Sequence, residues 1–265
     1  MRIESIADIL DAVKTAGQIA LEGQRKLDYS RRSYKSDGSV LTETDKRVER
    51  YLAQHIEQAY PDANVLAEET VRDFDRKKSF TFAIDPIDGT DVFSQGMSGW
   101  CISVGLLDAY LVPIAGAVFA PKLNLLFFAD MGKKAFINGV EINAPFSQEY
   151  LSPTSNIMVS SRVHQEFDLS KYPGKIRNIG SAALHLCFPL IYPGIFGAVQ
   201  SPVVHIWDIA GAHAINLSVG LDFEYLGGGH IDYSTMIDGG SAIDFILAGT
   251  QKRIGQLRDL LVKIE

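Results

Sequence analysis

Two aspartates, Asp85 and Asp88, close the apolar run Phe82-Ala83-Ile84, and a Gly89-Thr90 pair follows them at once. Pro86 disfavours helix at Asp85 and holds the backbone extended. Carboxylate oxygens suit a hard cation such as Mg²⁺. Amides exposed after Gly89 suit a phosphate, above all where a helix begins. Metal-binding carboxylates beside a phosphate cradle point to metal-assisted phosphoryl chemistry. Taken alone, the same residues also describe a surface turn, since Asp and Gly dominate turns. The alternate-residue spacing and closing Glu of an EF-hand loop are missing, and no Gly-Lys-Ser/Thr of a P-loop occurs.

Two more segments add to this turn. Upstream, Asn64-Val65-Leu66-Ala67 is a short apolar strand that ends in Glu68 and Glu69. Downstream, Asp208 stands behind Trp207 at the start of a helical pattern, where it also suits a plain helix cap. In this order, and with Asp85-Pro86-Ile87-Asp88-Gly89-Thr90, the segments resemble the inositol monophosphatase family of Mg²⁺-dependent, lithium-sensitive phosphatases. The resemblance covers most of the chain. Lys35 to Asp45 is similar to the family's lysine loop and Thr-x-x-Asp element. Ala115 to Pro121, with Asn138-Gly139, is similar to its central hairpin, and Gly180-Ser181-Ala182-Ala183 to its substrate-side glycine turn.

The resemblance implies a set of roles. One Mg²⁺ is held by Glu68, Asp85 and the carbonyl oxygen of Ile87, a second by Asp85, Asp88 and Asp208. Two or three ions per site are implied, with Mn²⁺ as a substitute and Ca²⁺ and Li⁺ as inhibitors. Thr90 positions the attacking water, and Asp45 or Glu68 orients Thr90 or takes the proton. Asp88, Gly89, Thr90, Gly180, Ser181, Ala182 and Asp208 are the implied substrate contacts; Ser181 equally suits an ordinary N-cap. Glu69 follows Glu68 in an extended segment, so it points to the opposite face and takes a supporting role. Lys35 guards a metal loop in this comparison, or is simply solvated. The implied fold is a layered αβαβα sandwich, and the implied assembly a homodimer.

Two positions depart from the family pattern. Many inositol-specific members carry a glutamate seven residues before the helix aspartate; here that position is Ser201, preceded by Gln200. The usual Thr-Asn-Phe continuation is Asp91-Val92-Phe93. Ser160-Ser161-Arg162-Val163-His164 is similar to the nucleotide-bisphosphate branch, although that branch's Lys-Glu after the Gly-Thr pair is absent.

The elements that must position these residues alternate in a way that predicts a mixed α/β fold. Ile3, Ile6, Leu10, Val13, Ile19 and Ala20 recur at helical spacing, as do Val48, Leu52, Ile56 and Ala59, with Thr42 or Thr44 as N-cap. Residues 79–85, 102–107, 111–119 and 125–128 read as strands, and Asn138-Gly139 as a hairpin turn. In the second half, strands are expected at 156–160, 197–199 and 241–247, and helices at 181–188, 207–219 and 251–264. Pro and Ser cluster around residues 144–155, which divides the chain into a subdomain 1–147 with most of the metal ligands and a subdomain 148–265 with Asp208.

The chain has 265 residues and a formal net charge of −7. That charge argues against nucleic acid as a partner. It also means that Glu68, Asp85, Asp88 and Asp208 would repel a phosphate dianion unless cations invert the local field. No apolar run is long enough to span a bilayer, and Met1 to Ser5 reads as the start of an amphipathic pattern rather than a signal peptide. Cys101 and Cys187 sit in apolar surroundings and read as buried thiols, not a disulfide framework. A cytoplasmic location is the simplest expectation. The expected activity is that of a Mg²⁺-dependent phosphomonoesterase acting on a small phosphorylated polyol or sugar such as inositol monophosphate. A 3′,5′-nucleotide bisphosphate or fructose 1,6-bisphosphate is the alternative substrate, and a regulatory partner-binding protein the alternative of another class.

Overall fold

Apolar residues at helical spacing place Ile9, Ala12, Val13, Ala16 and Ala20 on one side of the helix Ile9–Arg25, and that side is buried. The computed structural model describes residues 3, 5–27, 33–34, 40–70, 72–131, 134–143, 149–170 and 172–264. The expected lysine loop at 35–39 and residues 144–148 at the expected subdomain boundary lie outside them. The first helix packs along a second, Glu43–Ala59, which buries Val48, Leu52, Ala53 and Ile56. Thr42 is the N-cap: its hydroxyl accepts the Asp45 N–H, and the Asp45 carboxylate accepts the Thr42 N–H.

These helices cover one face of a seven-stranded sheet. Its strands run in the order Asn64–Ala67, Thr81–Asp88, Cys101–Leu107, Pro113–Ala120, Leu125–Ala129, Ala135–Ile137 and Val140–Glu141. Only the first pair is parallel. Alternate residues serve alternate faces: Ile84, Ile102, Val104 and Leu106 join the core under the first two helices, while Ala83, Cys101, Leu107 and Val118 face the other way.

On that other face lie the helices Ala182–Cys187 and Ile206–Leu217. The longer one rests directly on the strands, because a Cβ at Gly105 or Gly116 would meet the Gly211 backbone at 2.7 or 2.2 Å. Beyond it is a five-stranded sheet in the order Lys175–Arg177, Asn156–Val159, Ile195–Gln200, Ile246–Gly249 and Asp222–Tyr225. The helix Gln251–Leu260 closes the far side through Ile254 and Leu257. The layers are therefore αβαβα, as expected. The central core cluster draws residues from both halves of the chain, from Leu66 to Ala248.

Several boundaries differ from expectation. The strand expected to end at Asp85 continues through Pro86 to Asp88. The strand expected at 241–247 forms only over Ile246–Gly249, and the strand Asp222–Tyr225 alternates but is only four residues long, too short a run to be read beforehand. The last helix stops at Leu260, and Val262–Lys263 pairs instead with Phe167–Asp168. The Asn138-Gly139 turn is present, with both residues at positive φ and Ile137 paired to Val140.

Candidate active site

Residues three apart in a regular strand face opposite sides of the sheet, which would separate Asp85 from Asp88. Here Asp85 pairs with Ser103 and Asp88 with Cys101, so three steps on one strand oppose two on its neighbour. The extra residue is a β-bulge at Pro86-Ile87, where a proline without an N–H is tolerated. The bulge turns both aspartates to one side. Asp85 Oδ1 accepts the Ile87 N–H at 2.9 Å, which fixes the turn from within.

Asp88 is held by the start of the helix Ala182–Cys187. Its Oδ2 accepts the Ser181 hydroxyl and the Ala183 N–H, each at 2.6 Å, and its Oδ1 accepts the Ala182 N–H at 3.1 Å. The Cys101 thiol donates to the same carboxylate at 3.7 Å. The two loops approach closely because both turn at glycine: Gly89 and Gly180 have φ of +94° and +98°, and a Cβ on Gly89 would lie 3.0 Å from the Gly180 carbonyl oxygen.

Asp208 lies in the first turn of the helix Ile206–Leu217, and its carboxylate accepts the His205 N–H. It caps the helix and also reaches the strand: ligand oxygens of Asp85, Asp88 and Asp208 lie within 4.8 Å of one another. Burial, followed by neighbouring negative charge, pushes Asp85 and Asp208 well above the usual carboxylate range. Burial also raises Asp88 to about 6, against the pull of its Ser181, Ala182 and Ala183 donors. Glu68 stands outside the trio, just past the strand Asn64–Ala67, and lines an adjoining cavity with Trp207. Its charge nevertheless acts on Asp45, Asp85, Asp88 and Asp208.

These residues fit a hard divalent cation. The donors are all oxygens, the trio is compact, and among the described residues no lysine or arginine is a main influence on its charges. Buried carboxylates without such a counter-charge must take up protons or a metal.

Next to the trio, Thr90 Oγ1 lies 3.2 Å from Asp45 Oδ1 and 3.0 Å from the Ile87 carbonyl oxygen. A hydroxyl has one proton, so it donates to one of these at a time. Asp45 is buried and is raised to about 6, mainly by that burial.

The expected substrate residues divide. Gly180, Ala182, Asp88 and Asp208 line a cleft of about 500 Å³. Ser181 is fully buried, and its hydroxyl is spent on Asp88 and the Leu184 N–H, so it positions a carboxylate and does not meet the cleft. The Glu69 N–H donates to buried Glu49 at 2.6 Å, which anchors this segment to the second helix. Asp91 accepts Gln95 Nε2 at 2.9 Å on the surface of the helix Thr90–Ser94. Both cysteines are buried and unpaired. The sequence reading passed over the Cys101 contact with Asp88, and over His185, which lines the cleft beside Gln200. The apolar surroundings of both residues in sequence concealed them.

The sequence profile of the inositol monophosphatase family matches residues 3–247. Inositol monophosphatase 1 of Solanum lycopersicum is 29% identical over 230 residues, 80% of this chain and 81% of that protein. The 3′(2′),5′-bisphosphate nucleotidase CysQ of Buchnera aphidicola is 26% identical over 260 residues, 91% of this chain and 90% of that protein. In fold, the crystal structure of the extragenic suppressor protein SuhB from Bartonella henselae superposes with a TM-score of 0.80 at 20% identity, covering 95% of this chain and 96% of that one.

Proposed function

The chain belongs to the inositol monophosphatase family, and we propose that it is a Mg²⁺-dependent phosphomonoesterase acting on a small phosphorylated polyol or sugar. The observation that carries this reading is the convergence of Asp85, Asp88 and Asp208 at the cleft, beside the Asp45–Thr90 pair. Asp85, Asp88 and Asp208 would hold divalent cations, with Glu68 and the Ile87 carbonyl completing the set. Bound there, the cations would neutralise the phosphate and make water nucleophilic at neutral pH.

The chain's own residues do the rest. Thr90 offers a hydroxyl whose proton can shift between Asp45 and the Ile87 carbonyl, so it orients water by donating to one side and accepting on the other. Asp45, raised to about 6, is tuned to accept a proton near neutral pH. The Ser181, Ala182 and Ala183 donors hold Asp88 at one angle. Gly180 and Ala182 leave room at the cleft wall for phosphate and leaving group. Among the described residues no helix is long and apolar enough to cross a membrane; a cytoplasmic homodimer completes the proposal.

Phosphate release from inositol 1-phosphate and from sugar phosphates, with Mg²⁺ and with chelator, tests the reading. Chelator-sensitive release is expected. Release that persists in chelator, or none from any phosphoester, contradicts it.

A further inference from the structure

Two residues in the last turn of the first helix stand out: Gly23, a type that weakens a helix, and Gln24, a polar amide with only 2% of its surface exposed. Each is accounted for by an element it touches. A Cβ on Gly23 would lie 2.2 Å from Thr44 Oγ1, 2.5 Å from its Cγ2 and 2.9 Å from its Cβ, so the first helix meets the start of the second with no room for a side chain. Thr44 cannot swing aside, because its branched Cβ is itself one of the obstructing atoms. Gln24 reaches a different element. Its Nε2 donates to the Phe93 carbonyl at 2.9 Å and to the Met97 carbonyl at 3.0 Å. Phe93 belongs to the helix Thr90–Ser94, and the Met97 N–H folds back onto the Val92 carbonyl. So short a helix does not hold its own position. Gln24 ties its C-terminal end, and the Phe93 ring packs edge-on against Trp100 at 4.9 Å.

Thr44 is the neighbour of Asp45, and Thr90 opens the short helix. Two adjacent residues of the first helix therefore fix the two elements that supply the Asp45–Thr90 pair. That pair has little slack. Its oxygens are 3.2 Å apart, already long for a hydroxyl and a carboxylate. Asp45 also moves with the start of its helix, because its carboxylate is bound to the Thr42 N–H.

We infer that Gly23 and Gln24 are positioning residues that set the Asp45–Thr90 separation from outside the cleft. Their effect on rate rests on the phosphomonoesterase reading; their effect on geometry rests on the contacts alone.

Gly23→Ala tests this, with Thr44→Ala to relieve it. Trimming Thr44 removes the two nearest obstructing atoms and leaves only the contact at 2.9 Å. Crystal structures of the variants are compared, together with phosphate release in Mg²⁺ from inositol 1-phosphate and fructose 1,6-bisphosphate. In Gly23→Ala the Asp45 and Thr90 oxygens are expected to part beyond hydrogen-bond reach. Its kcat falls by about 10- to 100-fold, the scale of a small misplacement caused far from the chemistry. KM and the half-saturating Mg²⁺ concentration change little. The double variant Gly23→Ala/Thr44→Ala regains most of the lost kcat. Gln24→Met keeps the size, loses the donor and lowers kcat in the same way, and it carries the test if Gly23→Ala does not fold. A lower melting temperature with kcat and the separation unchanged is what a merely structural role gives, and it overturns the inference. A loss of kcat that Thr44→Ala leaves in place overturns it as well. If the wild type releases no phosphate, the phosphatase reading fails, and the Asp45–Thr90 separation in crystals of the variants still decides whether Gly23 and Gln24 set it.

Discussion

Asp85 and Asp88 face the same side of their strand, although three residues separate them, because the bulge at Pro86-Ile87 absorbs the odd step. A straight strand would send one carboxylate into the cleft and the other into the core under the first two helices. The Asp-Pro-Ile-Asp spacing is thus a geometric device: the proline marks the bulge, and the bulge makes two sequential carboxylates into one face of a candidate metal site.

Asp88→Asn should remove one charge from the trio while keeping the side chain's size. Turnover is expected to fall by at least about 100-fold, the scale of losing one preorganised electrostatic group. The fold should remain, because the metal-free protein loses a source of repulsion. Steady-state kinetics and circular dichroism check this; turnover like that of the wild type contradicts it.

Ser181→Ala should act at a distance from substrate. Ser181 caps its helix and orients Asp88. Loss of the cap costs about 1 kcal/mol of stability. Loss of the Asp88 contact should raise the Mg²⁺ concentration for half-maximal activity by about 10- to 100-fold, as removal of a ligand's supporting bond does. A thermal melt and a Mg²⁺ titration separate the two effects.

Thr90→Val removes the hydroxyl between Asp45 and the Ile87 carbonyl. A loss of about 10²- to 10⁴-fold in kcat, with KM little changed, is the expected signature of a group that handles a proton. A change confined to KM would assign Thr90 to binding alone.

Stability should depend on pH with opposite signs in different parts of the protein. Asp45 and Asp88 rise from 3.8 to about 6 on folding. The metal-free folded state therefore binds more protons than the unfolded chain, and these groups make stability fall as pH rises through that window. His185 runs the other way, from 6.5 to about 4, and contributes stability that is lost as pH falls. The Mg²⁺-induced gain in melting temperature isolates the site, because His185 is present with and without metal. Cation and proton compete for the same carboxylates, so the gain should be small at pH 5 and several degrees larger at pH 7.5. A gain independent of pH would contradict the assignment.

The layers and the candidate ligands were legible because their signals are local. The helical spacing of Val13 and Ala20, the apolar strands, and the Asn138-Gly139 turn each need only a few neighbouring residues to be read. What escaped depends on contacts across the chain. The pairing of Asp88 with Cys101 reveals the bulge. Ser181 reads as a cap either way, and only its 2.6 Å bond to Asp88, far away in sequence, shows its second task. His185 is held by the Ile179 N–H and the Gln200 side chain, which no periodicity connects.

The most direct test of the central claim is anomalous diffraction from crystals soaked in Mn²⁺. The account predicts a peak within coordination distance of Asp85, Asp88 and Asp208, lost in Asp88→Asn. A protein that folds and crystallises but shows no peak at that trio, or binds Mn²⁺ only elsewhere, would contradict it.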